Sequence, residues 1–329
     1  MHRSLQRRRL TTEALSIKQD KNPALHTYGP VPSRRLGFSL GIDIIPLKTC
    51  SLDCIYCQLG PSPNKTFHRK KYFSPSDILS QIKKKLSSGQ RIDYITFSGS
   101  GEPTLNKTLG KIIRKIKKTT SIPVAVLTNS TLLSQKSARE ALMDADLVVP
   151  SLDAVTQEIF VKVNRPYASL NIEEIIQGLR KFSQEFKGSI WLEIILVKGV
   201  NDSPSHIKKL KEAIAKIKPE KVQLNTVIRP PAEKNARPLS LKDLEKIKNI
   251  LGKNCEIIAE FSREAQKSTP ENLEGEILFL TQRRPVTLAE ISASVGKGKN
   301  EIMRSLDSLL TEGKIKSVIH KGLKYFKPK

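Results

Sequence analysis

Between about residues 36 and 260, short apolar and β-branched runs alternate with longer stretches whose apolar positions recur every three to four residues. Brief apolar runs read as strands, and the 3.6-residue period reads as helix. The pattern predicts strands over residues 39–45, 93–97, 124–127, 147–151, 190–197 and 222–227. Helices are predicted near residues 75–88, 107–118, 132–143, 170–184, 204–217 and 239–251. That order implies an α/β fold with helices covering a parallel sheet. Six units suit a partial (β/α)6 barrel better than a closed eight-stranded one. Polar turns recur where the predicted strands end: Ser98-Gly99-Ser100-Gly101, Thr128-Asn129-Ser130 and Asp153. Parallel α/β proteins build their sites at that edge.

A different pattern follows a polar stretch over residues 262–272 that contains Pro270. A helix begins over residues 276–280, and Thr287-Leu288-Ala289-Glu290 reads as a capping box opening a second. Asn300 is the expected cap of a third, with Ile302, Leu306, Leu309 and Leu310 on its apolar face and Gly313 at its end. Apolar runs over residues 315–319 and 323–326 flank Lys321-Gly322, a hairpin signal. The expected organisation is a basic lead-in (1–27), a core (28–261), a linker (262–272) and a small C-terminal winged-helix-like domain (273–329).

Composition narrows this picture. At 329 residues and 38% hydrophobic, the chain can bury a sizeable core and is too apolar to be disordered. Its longest apolar run, residues 190–197, is short and carries Glu193, so no membrane contact is expected. Arg3, Arg7, Arg8 and Arg9 are followed by no apolar segment of the secretory kind, and a cytoplasmic protein is the expectation. The net charge of +25 favours polyanionic partners such as tRNA or other nucleic acid. Many of these lysines, however, lie along predicted helix faces, where a solvated surface gives the same count.

Cysteine placement is more specific. Three of the four cysteines form the series Cys50-x3-Cys54-x2-Cys57, and Cys255 stands alone far downstream. Outside a disulfide framework, this spacing reads as a metal or redox site. Three thiolates on one short loop suit three irons of a 4Fe–4S cluster, leaving one iron open. The alternative is a zinc site completed by His68 or His26, although no second cysteine pair accompanies it. Cys255 reads as a buried structural cysteine.

This spacing, with Tyr56 directly before the last cysteine and the whole segment following the first predicted strand, resembles the motif of the radical S-adenosylmethionine (SAM) superfamily. Ser98-Gly99-Ser100-Gly101-Glu102-Pro103 is similar to that family's glycine-rich segment, which binds the SAM amino group and implies roles for Gly99, Gly101 and Glu102. Thr128 and Asn129 resemble its Thr-Asn turn. Ser151 and Asp153 occupy the position of its ribose or carboxylate contacts, although Asp153 reads equally well as a helix N-cap. Val197, Gly199 and Val200 resemble the adenine-binding segment, and Glu193 before them either faces the cavity or pairs with a lysine.

The segment from Tyr28 to Gly37, with adjacent Arg34 and Arg35, resembles a group related to the wyosine-type tRNA-modifying and nitrogenase-cofactor branches. Those arginines suit a phosphate or carboxylate, and Asn225, Thr226 and Arg229 are expected near the barrel mouth. Asn164-Arg165-Pro166 also has a chemical composition without a clear assignment. The resemblance implies a 4Fe–4S cluster, SAM as cofactor, an electron donor such as flavodoxin or ferredoxin, and hydrogen abstraction by a 5′-deoxyadenosyl radical. It assigns no catalytic side chain. Three functions stay open on the sequence: an enzyme acting on nucleic acid, an enzyme acting on a protein or small metabolite, and a zinc-structured nucleic-acid-binding protein.

Overall fold

The computed structural model describes residues 25–63, 65–258 and 272–329. The expected lead-in up to residue 24 and the linker up to residue 271 lie outside them. Eight strands among these residues stand side by side in chain order: β1 (Thr27–Ser33), β2 (Gly37–Ile42), β3 (Tyr94–Phe97), β4 (Val124–Thr128), β5 (Leu147–Pro150), β6 (Ser189–Leu196), β7 (Lys221–Thr226) and β8 (Cys255–Ile257). Strands β2 to β8 pair in parallel, whereas β1 runs antiparallel to β2 along one edge. The six predicted strands are β2 to β7, with ends displaced by a few residues. The sheet therefore has two strands more than the periodicity implied. Pro30 and Pro32 lie within β1, where an edge position tolerates the missing N–H groups.

Helices α1 (Pro75–Leu86), α2 (Leu109–Lys117), α3 (Lys136–Glu140), α4 (Gln157–Asn164), α5 (Ile172–Glu185), α6 (Pro204–Ile217) and α7 (Leu241–Leu251) follow the strands. Each long helix turns an apolar stripe inward. In α2, Leu109, Ile112, Ile113 and Ile116 are buried while Lys111, Arg114, Lys115 and Lys117 are exposed. Burial of such side chains contributes about 2 kcal/mol each. The expected helix over 132–143 shortens to α3, with turns on either side. Helix α4 was not predicted. Thr156 caps it, its side chain accepting from the Ile159 N–H, and Arg165 ends it in the left-handed conformation.

The C-terminal part has the expected order of three helices and a ribbon: α8 (Leu273–Arg283), α9 (Leu288–Val295), α10 (Lys299–Thr311), β10 (Ile315–His320) and β11 (Leu323–Pro328), with one addition, β9 (Val286–Thr287). Thr287 and Glu290 close the capping box reciprocally. The cap of α10 is Gly298 instead of Asn300, because the chain is extended at Gly298 and already helical at Lys299. Lys321 and Gly322 both adopt positive φ, 50° and 74°, which matches a two-residue hairpin turn to the strand twist. Strand β9 adds to β11, giving a three-stranded antiparallel sheet. Ile277, Leu280, Ile302, Leu306 and Phe326 share one apolar cluster with Tyr28 and Val31 of β1. The C-terminal part is thus built onto the edge strand of the barrel. Among the described residues no helix is long and apolar enough to cross a membrane.

Candidate active site at the barrel mouth

The cysteine loop leaves the end of β2 and is tied down along its length. The Lys48 N–H donates to the Ser100 carbonyl (2.7 Å), and the Glu102 N–H donates to the Thr49 carbonyl (3.1 Å). Gly101 makes that approach possible, since a Cβ there would stand 2.0 Å from the Thr49 oxygen. Gly99 serves a different need: its φ is +134°, and a Cβ would meet the Asp43 carboxyl. Farther along, the N–H groups of Asp53 and Ile55 donate to the Asn164 and Val163 carbonyls, both at 3.0 Å. The open carbonyls at the end of α4 thereby anchor the loop.

Cys50, Cys54 and Cys57 all line one cavity of about 320 Å³ at the strands' C-terminal ends. Asn129 Nδ2 donates to Cys50 Sγ, and Asn164 Nδ2 donates to Cys54 Sγ, each at 3.3 Å. Burial pushes the Cys50 thiol up to about 12, and the nearby Glu102 carboxylate adds to the shift. Burial raises Cys54 and Cys57 in the same direction, with Asp153 contributing at Cys54. Three thiolates here require a strongly cationic partner. Among the described residues no three His, Cys, Asp or Glu side chains converge on a single metal ion. Neither His26 nor His68 lines the cavity: His26 Nδ1 contacts the Asp43 carbonyl at 3.2 Å, and His68 lies against Phe67. Three cysteines around one cavity suit the three ligated corners of a cubane cluster.

The surrounding residues fall into two groups. Gly99, Gly101, Glu102, Thr128, Asn129, Ser151 and Tyr56 line the cavity with the cysteines. Glu102 also clips β3 to β4: Oε1 accepts from the Thr104 N–H (3.0 Å) and the Thr128 hydroxyl (2.6 Å), and Oε2 accepts from the Asn129 N–H (2.6 Å). The Tyr56 hydroxyl donates to the buried Asp153 carboxylate, which also accepts from Asn164 Nδ2 (2.8 Å) and the Ile195 N–H (2.8 Å). Burial raises Asp153 to about 6 despite these donors. Asp153 neither lines the cavity nor caps α4; it braces the loop from behind.

Val197 and Gly199 are not brought to the cavity. Strand β6 ends at Leu196, so Val197 enters a turn in which its N–H donates to Asn201 Oδ1, and the Gly199 N–H donates to Asp202. Glu193 and Ile195, two apart on β6, supply the lining there. Period-two alternation along β6 was the signal available for Ile195. Cys255 is buried on β8, away from the cavity.

Arginines complete the lining. Arg34 Nη1 donates to Asn225 Oδ1 (2.9 Å) and to the Ile258 carbonyl (2.7 Å). Arg35 Nη1 donates to Glu193 Oε1 (2.8 Å) and Gln223 Oε1 (2.9 Å). The turn between β1 and β2 therefore reaches across to β6 and β7. Burial works against the Glu193 carboxylate, but Arg35 outweighs it and holds its pKa low. Arg229 pairs with Glu290 of α9 at 2.5 Å and also donates to the Pro285 carbonyl.

A three-cysteine loop at this edge, packed on a glycine turn, defines a class that the sequence comparison matches: residues 44–213 fit the radical SAM superfamily, and the chain belongs to it. It is 34% identical to a UPF0026 protein of Methanocaldococcus jannaschii, across 91% of this chain and 94% of that one. It is 38% identical, over 95% of its length, to a Brachyspira hyodysenteriae protein called GTPase Obg, and spans 47% of that longer relative. The fold is similar to a radical SAM methyltransferase from Sphaerobacter thermophilus, with a TM-score of 0.50 and 17% identity over 67% of this chain and 65% of that one.

Proposed function

We propose that the chain holds a 4Fe–4S cluster on Cys50, Cys54 and Cys57 and binds SAM along the mouth formed by Gly99–Glu102, Thr128, Asn129 and Ser151. The cluster would supply one electron, received from a donor such as flavodoxin or ferredoxin, to cleave SAM into methionine and a 5′-deoxyadenosyl radical. That radical would take a hydrogen atom from the substrate and be released as 5′-deoxyadenosine. The chain's residues position and shield. Asn129 and Asn164 direct N–H groups at two thiolates, which favours their charged state. Asp153 fixes the loop from behind through the Tyr56 hydroxyl, while Leu52, Leu59, Leu127 and Ile195 keep water from the cavity.

The observation that carries this reading is the shared cavity of the three cysteines beside a glycine turn that a Cβ would obstruct. The test is anaerobic reconstitution followed by reduction with dithionite. Four irons per chain and formation of 5′-deoxyadenosine from SAM are expected; one zinc and no sulfide would defeat the reading. Cys54→Ala should reduce 5′-deoxyadenosine to background.

A second reading concerns the substrate. Lys299 and Arg304 are exposed on α10, the third helix of the C-terminal part, where a winged-helix-like unit would meet phosphates. On this second reading alone the substrate would be tRNA or another nucleic acid. Salt-sensitive tRNA binding that weakens in a Lys299→Gln/Arg304→Gln variant supports it; binding unchanged by the pair removes it.

A further inference from the structure

Four arginines from three separate segments gather beside the cavity. Arg34 and Arg35 come from the β1–β2 turn, Arg229 follows β7, and Arg284 ends α8. Arg34, Arg35 and Arg229 line the same cavity as the cysteines. Two of the four are met by carboxylates: Glu193 takes Arg35, and Glu290 takes Arg229. Arg284 is held differently. Its Nε and Nη2 atoms are buried and meet no hydrogen-bond partner among the described residues. Burial pushes its pKa down to about 10, and Arg229 adds to the shift. Burial and then Arg35 push Arg34 down to about 9, with Arg229 and Arg284 acting the same way.

Leaving a buried guanidinium with unmet donors is costly, and a fold keeps such a group when something else uses it. Glu290 supplies the connection. Burial disfavours its charge, yet Arg229 and Arg284 together outweigh burial and hold it ionised. One carboxylate therefore lies within reach of two arginine charges while bonding to only one of them.

We propose that Arg34 and Arg229 bind a terminal phosphate group of a small-molecule substrate, with Arg284 as a positioning residue that takes over Glu290 when Arg229 turns to the phosphate. The exchange leaves no charge stranded: phosphate meets Arg229, and Glu290 meets Arg284. A phosphomonoester suits the site because its charge of about −1.5 to −2 and three acceptor oxygens match planar guanidinium forks. A phosphodiester offers one charge to the same arginines, where a phosphomonoester offers nearly two. This rests on the enzyme reading above for the phosphate's role as a substrate handle, but its binding can be measured separately.

The experiment is a thermal-shift titration of reconstituted protein with inorganic phosphate, against chloride at matched ionic strength. Phosphate should raise Tm saturably in the wild type. Arg229→Gln should abolish that shift. Arg284→Gln should weaken phosphate about tenfold without lowering Tm in the absence of phosphate, since it removes an unpaired buried charge. Arg284→Lys, which keeps a charge for Glu290, should restore most of the affinity. A merely structural arginine would show the reverse: lower Tm and intact phosphate binding. The proposal fails if phosphate acts no better than chloride, if Arg229→Gln binds it normally, or if Arg284→Lys is as weak as Arg284→Gln. A shift with total tRNA but none with phosphate would assign the arginines to a phosphodiester and overturn it. Wild-type protein that takes up no cluster yet is protected by phosphate would sink the enzyme reading and leave this one standing.

Discussion

The cavity's cysteine wall and its arginine wall solve the problem of buried charge in opposite ways. On the cysteine side Glu102, and Asp153 behind the loop, have their carboxylate oxygens met by several donors each. Glu102 accepts from Thr104, Thr128 and Asn129, and Asp153 accepts from Tyr56, Asn164 and the Ile195 N–H. Those bonds tie β3 to β4 and the cysteine loop to β6. On the arginine wall Arg229 reaches α9 and Arg35 reaches β6, and Arg284 is left with donors that no described residue meets. A self-satisfied wall holds a fixed group still, whereas a wall with capacity in reserve is shaped to receive one. The lesson is that hydrogen-bond completeness separates the part of a site that scaffolds from the part that binds.

Glu290→Gln breaks the second wall most severely. It leaves Arg229 and Arg284 without their carboxylate, and the expected loss is about 3–5 kcal/mol in denaturant unfolding. An effect below about 1 kcal/mol would show that water already serves these arginines. The corresponding strain on the first wall is pH-dependent. Asp153 has a carboxyl raised from 3.8 to about 6, so the folded chain retains a proton that the unfolded chain releases between those values. Its contribution is complete below about pH 4 and is lost as pH rises through 6, a swing on the order of 3 kcal/mol. Comparison of cluster-free wild type with Asp153→Asn over that range isolates it; parallel stability curves would remove Asp153 as the cause.

Gly101→Ala sharpens the comparison by moving one wall alone. Its Cβ would collide with backbone, the Thr49 carbonyl, so the cysteine loop must shift. A loss of about 1–3 kcal/mol is expected, with poorer iron uptake and unchanged phosphate protection. Equal damage to both properties would mean that the walls move as one body.

How much of this was legible depended on how local the cause was. Strands β2 to β7 are buried on both faces and announce themselves as continuous apolar runs. Strand β1 did not, because Gly29, Pro30 and Pro32 read as a turn until β2 is seen beside them. Strand β8 has three residues, too few for any period. The same division runs through the site. Cys50, Cys54 and Cys57 are legible by spacing alone. The Asn164 contact with Cys54 depends on where α4 ends, and α4 itself buries only Phe160 and Val163 as large apolar groups. Arg34 and Arg229 meet because the sheet curls and brings the β1–β2 turn across to β7, a relation no sequence spacing encodes. Arg284 gained meaning only from the bonds it lacks.

The smallest expected effect is the most discriminating. Asn129 Nδ2 donates to Cys50 Sγ and to Ser51 Oγ, and its Oδ1 accepts from the Thr131 hydroxyl. In Asn129→Ala the hydroxyls of Ser51 and Thr131 keep the bond they already share at 2.7 Å, so neither is stranded. The Glu102 carboxylate still holds the residue 129 N–H. The Thr131 N–H does lose Asn129 Oδ1 (3.1 Å), so the cost to stability should be about 1–2 kcal/mol, in the lower part of the range for a buried donor left unmet. The electronic consequence is separate from that cost. An N–H aimed at a sulfur ligand stabilises the more negative, reduced form of a cluster, so its removal should lower the reduction potential. A redox titration of the reconstituted variant, set beside Arg35→Gln, reads the difference between the walls directly. Asn129→Ala should shift the potential downward by more than Arg35→Gln does, because only Asn129 touches a cysteine. Equal shifts would show that the arginine wall tunes the cluster by its field, and the division of labour between the two walls would have to be abandoned.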